Sequence, residues 1–184
     1  MHQQTSVFRF HALWLALLVA ASVAFSLGFA CAVPFAAFGA LAALTLARRD
    51  ALLLVGAVWL ANQLVGFAVL GYPWTISTVA WGVVFGVVAV LATVAAQSIA
   101  GRAGGRGAVV VALAAFVGAF IVYEGGLFAA AGLLGGTDAF MPAIVTRILE
   151  INAAAFVGLL VLNRLASVAG LAANFPYPMA GRHA

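Results

Sequence analysis

The feature that most constrains this chain is its alternation of long uncharged apolar runs with short connections that hold nearly all of its cations. Arginine is the only fixed cation used, and Arg9, Arg48, Arg49, Arg102, Arg106, Arg164 and Arg182 fall at every second gap between the runs. Moving arginine across a bilayer is unfavourable, so Arg-bearing short loops stay on the cytoplasmic side. The pattern predicts a helical, multi-pass protein of the inner (plasma) membrane with both termini in the cytoplasm. Arg147 is the one arginine that breaks the rule.

Composition supports that class. Charged residues make up 7% and hydrophobic residues 67% of the chain, whereas a soluble protein carries about 25% charged residues. The bilayer must therefore be the solvent. A span needs roughly 20 apolar residues to cross about 30 Å of hydrocarbon, so a chain of this length holds about six spans and no extramembrane domain. The runs place spans at residues 12–30, 34–47, 51–70, 76–99, 108–134 and 143–163, with a cytoplasmic tail over 164–184, all in one all-α transmembrane domain. The net charge of +4 comes from arginines dispersed among loops, which read as topology signals and not as a nucleic-acid surface. The first run outlasts a secretory signal core and lacks a cleavage context, so no cleavable signal is expected. Walker A, His-Glu-x-x-His, Gly-x-Ser-x-Gly and haem-attachment patterns are all missing from the sequence, and an enzyme is not expected.

Polar residues inside apolar runs are where function is sought, because each is costly in lipid and must face protein or a watered cavity. At 1.5 Å per residue, Asn62 and Gln63 lie roughly 12 Å, Glu124 roughly 15 Å and Glu150 roughly 10 Å below the outer ends of their runs. Arg147 and Glu150 are three apart and can pair on one helix face, with Asn152 near in depth on another. Together these side chains predict a polar floor beneath an outward-opening cavity, roofed by the turns at Cys31–Pro34, Tyr72–Trp74 and Gly135–Pro142. Interhelical glue is the alternative reading of the same residues. Glu124 stands beside Gly125 and Gly126, where proton relay, ligand contact and pairing with Arg147 are all open.

The lone Cys31 excludes an internal disulfide and a Cys-rich zinc site. It is either a small packing residue or, at the outer boundary, a thiolate donor to a metal held inside an organic ligand. Ala12, Ala16 and Ala20 recur every fourth residue on the first helix and continue in register to Ala24 and Gly28, forming a smooth stripe for close helix approach. Trp59, Tyr72, Trp74, Trp81, Tyr123 and Phe140 read as an interfacial belt, or as rings that stack on a flat ligand if several face inward.

With its length, its span count, the Ala12, Ala16 and Ala20 stripe and the hairpin from Pro34-Phe35-Ala36-Ala37-Phe38-Gly39-Ala40 to Arg48-Arg49-Asp50, the chain resembles the S components of energy-coupling factor vitamin transporters. That resemblance implies a substrate-binding membrane protein whose helix-one alanines dock on a transmembrane coupling subunit driven by ATPases. It implies a vitamin held near the outer surface beneath the connections at Cys31 to Pro34, Gly71 to Thr75 and Gly135 to Pro142. A cysteine near that pocket looks like the solitary vitamin B12 carriers, which implies Cys31 as an axial ligand to the cobalt of cobalamin. Biotin, thiamine or riboflavin fits the same layout. The substrate contacts expected on these grounds are Cys31, Asn62, Gln63, Tyr72, Trp74, Glu124, Arg147 and Glu150. The alternative from another class is a structural or assembly subunit of a membrane complex, which predicts paired polar residues and no cavity.

Overall fold

The computed structural model describes residues 2–29, 33–103 and 105–170, with side chains on the first helix from Ala12 to Gly28. Among the described residues the chain is all helix and short connection, without a strand. The helices are α1 (His2–Phe29), α2 (Phe35–Thr45), α3 (Arg48–Ala68), α4 (Ile76–Arg102), α5 (Ala108–Leu134) and α6 (Pro142–Val168), with a short 3-10 helix at Thr137–Phe140. Helices α3, α4, α5 and α6 are long and apolar enough to cross a membrane. Their outward faces carry leucine, isoleucine, valine and phenylalanine, including Leu53, Leu60, Val83, Leu113, Ile121, Phe128, Val157 and Val161. A helix that is apolar on both its packed and its outer face suits a lipid solvent. The protein is therefore a helical membrane protein.

The second element departs from the expected span. Residues 34–47 were expected to form a span; the helix there, α2, has 11 residues, all buried, and at about 16 Å is shorter than the hydrocarbon layer. It is a core helix, packed against α3, α4, α5 and α6 at once. Its alanine-rich sequence explains how four neighbours fit around it, because small side chains let helix axes approach closely. At Gly39 a Cβ atom would stand 2.7 Å from Thr93 Oγ1 on α4, and that hydroxyl is fully buried and donates to the Ala89 carbonyl at 2.8 Å. Gly39→Leu is therefore expected to push α2 off α4 and cost about 1–3 kcal/mol or more, seen as a lower unfolding temperature in detergent.

The N-terminus of α2 also lies inside the bundle. Val33 and Pro34 are buried and non-helical, a backbone state tolerated at membrane depth only where it is enclosed by protein or lines a cavity. Helix termini leave N–H groups unpaired, and here the Ala37 amide donates to Asn152 Oδ1 on α6 at 3.3 Å. The Asn152 amide nitrogen donates in turn to the Ile148 carbonyl at 3.0 Å.

The other helix bounds differ from the apolar runs mainly at their ends. Helix α1 begins at His2 and not near residue 12, α3 begins at Arg48, α4 continues to Arg102, and α6 continues to Val168. Helical hydrogen bonding does not stop at an arginine, whose long side chain can carry its charge past the hydrocarbon. Part of the expected tail, residues 164–168, is thus helix, and residues 171–184 lie outside the described residues. Short connections make α3, α4, α5 and α6 run alternately up and down. Arg48, Arg49, Arg102, Arg106 and Arg164 accordingly share one end of the bundle, opposite the connections at 69–75 and 135–141.

Candidate functional site

Between α4, α5 and α6, under the 3-10 helix, lies a cavity of about 480 Å³. Helix α4 supplies Trp81 and Phe85, α5 supplies Tyr123, Glu124 and Leu127, and α6 supplies Ile144, Ile148 and Asn152. Val33 closes the side next to α2, and Gly136, Ala139 and Phe140 form the roof. The roof depends on backbone geometry: Gly135 and Gly136 hold φ of 85° and 99°, a region that side chains with a Cβ rarely enter. The chain thereby leaves α5, folds back over the cavity and places Phe140 against Phe128 with ring centroids 5.3 Å apart.

Glu124 is the decisive group. It is 8% exposed, and among the described residues neither carboxylate oxygen has a hydrogen-bond partner. Position 124 is ten residues before the end of α5 at Leu134, about 15 Å along the helix and so near the middle of the bilayer. Buried polar groups are nearly always paired, because an unsatisfied one costs roughly 1–3 kcal/mol. This one faces a space large enough to hold its partner.

A second cavity of about 200 Å³ adjoins the first and contains Asn62, Gln63, Tyr72 and Thr78. Trp81 and Phe85 line both spaces and form the wall between them, with ring centroids 6.0 Å apart. Phe35 at the start of α2 extends the wall, 6.5 Å from Phe85 and 6.0 Å from Tyr123. Gln63 donates to Asn62 Oδ1 and Asn62 donates to Ser26 Oγ on α1, both at 3.3 Å. Asn62 thus joins α3 to α1 while its neighbour faces the small cavity.

The single polar floor expected from depth alone is therefore divided. Glu124 belongs to the larger cavity, and Asn62, Gln63 and Tyr72 to the smaller. Arg147 and Glu150 belong to neither: both are exposed, and Glu150 borders a separate lateral cleft between α1 and α6. The physical reason lies in helix length. With 27 residues, α6 is about 40 Å long against a 30 Å hydrocarbon layer, which leaves its first turns, with Arg147 about 7 Å from the start, near the interface. Pairing of Glu124 with Arg147 is not what the fold provides. Trp74 is likewise 79% exposed, stacked on Phe67 at 4.3 Å beside a cleft between α3 and α4.

Phe85, Leu127, Ile144 and Ile148 line the larger cavity and were not singled out from sequence, and Asn152 was noted there for its depth alone. The signal for Asn152 was available: Asn152, Ala155, Phe156, Leu159, Asn163 and Ala166 recur at helical spacing and form the buried face of α6, from which Arg147 and Glu150 point away. Phe85 carried no such signal in a helix that is apolar all round. On α1, Ala12, Ala16, Ala20, Ala24 and Gly28 are all exposed, while Trp14, Leu18, Ser22 and Ser26 form the buried face. Cys31 lies outside the described residues.

Comparison with protein-family models, curated proteins and solved structures found no match for this chain.

Proposed function

We propose that the chain is a substrate-binding membrane protein for uptake of a vitamin-sized organic solute, of the kind its resemblance to energy-coupling factor S components implies. The observation that carries this reading is the unpartnered Glu124 carboxyl facing an interior cavity of about 480 Å³. Cavities of roughly 300–1,000 Å³ with apolar walls and few polar groups suit small organic ligands. A purely structural subunit gains nothing from an unsatisfied acid at that depth. In this reading the chain crosses the plasma membrane six times, with α2 as a short inner crossing, both termini cytoplasmic and the roof over residues 135–141 facing outward. Reporter fusions after Arg49 and Arg106 are expected to read cytoplasmic and those at Trp74 and Asp138 external; the reverse pattern contradicts the orientation.

Cobalamin bound through Cys31 is one form of this proposal. The cavity volume favours a compact solute such as biotin, thiamine or riboflavin over a corrinoid with its nucleotide tail. Titrating the purified protein with all four separates them by tryptophan fluorescence, since Trp81 lines the cavity. One saturable response that Trp81→Phe removes supports the reading. Cobalamin would announce itself by its visible spectrum, shifted in Cys31→Ser. Absence of a response to every solute, with none co-purifying, counts against uptake of a vitamin.

The exposed alanine face of α1 is the proposed docking surface for a coupling transmembrane subunit and its ATPases. Ala16→Leu is expected to leave the unfolding temperature and solute binding within error, because the side chain points outward, while transport falls at least tenfold from loss of close helix approach. Loss of solute binding in a well-folded Ala16→Leu protein would place that face in the substrate path instead.

A further inference from the structure

We propose that the solute is an organic cation, held with its charge against Glu124 and its flank against the rings of Trp81, Phe85 and Tyr123; this rests on the binding reading above. Among the described residues that line the cavity Glu124 is the only charged one, and both of its oxygens are buried without a partner. Among the described residues the arginines stand elsewhere: Arg147 is exposed, and Arg48, Arg49, Arg102, Arg106 and Arg164 lie at the other end of the bundle. A carboxylate enclosed in a low-dielectric space attracts a cation strongly and repels an anion.

The walls favour the same sign. Aromatic faces carry negative quadrupole charge, so a cation within about 6 Å of a ring centre gains further attraction, most of all once its water is removed. Trp81, Phe85 and Tyr123 form a continuous aromatic side through Phe35, and Phe140 adds a ring from the roof. Of the polar residues beside it, Asn152 has its carbonyl oxygen engaged by the Ala37 amide. Positive charge is thus recognised by Glu124 and the rings, and size is limited by a space of about 480 Å³. A flat nitrogen heterocycle bearing a fixed charge, or a quaternary ammonium, meets both conditions.

The test uses two matched pairs of probes on the full-length protein in lipid nanodiscs, read by tryptophan fluorescence and by calorimetry. The cation 1-methylnicotinamide is paired with neutral nicotinamide, and choline with its neutral isostere 3,3-dimethylbutan-1-ol. Each cation is expected to bind at least tenfold more tightly than its neutral partner. Glu124→Gln, which preserves shape, is expected to weaken the cations at least tenfold and the neutral compounds less than twofold. Neutral probes that bind as tightly as the cations, cation affinity unchanged in a folded Glu124→Gln protein, or no binding of either cation at millimolar concentration overturns the proposal. Binding of biotin or riboflavin, neither of which is a cation, with no preference for the cationic probes would refute the cation and leave the uptake reading standing; silence toward both sets removes both.

Discussion

Replacing Glu124 with leucine is expected to make the solute-free protein more resistant to heat while abolishing solute binding. The side chains are similar in size, and the substitution removes two buried oxygens that no donor satisfies. An unpaired buried polar group costs roughly 1–3 kcal/mol, and a deeply buried charge costs more, so the unfolding temperature should rise by several degrees. Had Glu124 tied helices together, its loss would lower stability. A rise in stability coupled to lost binding is the pattern of a group retained for function at the expense of the fold. Thermal unfolding in detergent, measured with and without solute, gives both halves of the result.

The second large effect is expected at Asn152, in the opposite direction. This residue is 2% exposed and joins α6 to the buried start of α2 through the Ala37 amide. Helix α6 meets α5 through the stacked rings of Phe116 and Phe156 at 4.8 Å and packs more extensively on α2, so the contact concerns the placement of a whole helix. Asn152→Leu removes the acceptor of the buried Ala37 N–H, costing about 1–3 kcal/mol before any cavity distortion. A fall in unfolding temperature and weaker solute binding are expected together, because Asn152 also lines the larger cavity. Unchanged stability would mean that the amide finds another acceptor and that the link from α2 to α6 is dispensable.

How far the sequence could lead is clear from pairs of residues that look alike in it. Glu124 was legible, since a carboxylate far from any run boundary must face protein or water wherever the helices turn. Glu150 looked similar but was not, because its meaning depended on how far α6 extends beyond the bilayer and on which face it buries. Trp81 and Trp74 are both aromatic residues near one end of the bundle, yet one lines the cavity and the other is exposed. Helix α4 is apolar on every side, so its periodicity carries no sign of which face is inward. The central place of α2 was hidden for a related reason. Its length in sequence resembled a short lipid-facing span, and only packing against four neighbours marks it as a helix enclosed by protein. The alanines of α1 were readable as a stripe, but their exposure follows from Trp14 and Leu18 claiming the opposite face.

The most direct measurement is a high-resolution structure of the full-length protein extracted gently from its own membrane, before any added solute. Non-protein density is expected in the space bounded by Trp81, Tyr123, Phe140 and Asn152, with an atom of that density within hydrogen-bond or ion-pair distance of a Glu124 oxygen. A collapsed interior in which a protein donor satisfies Glu124 would contradict it.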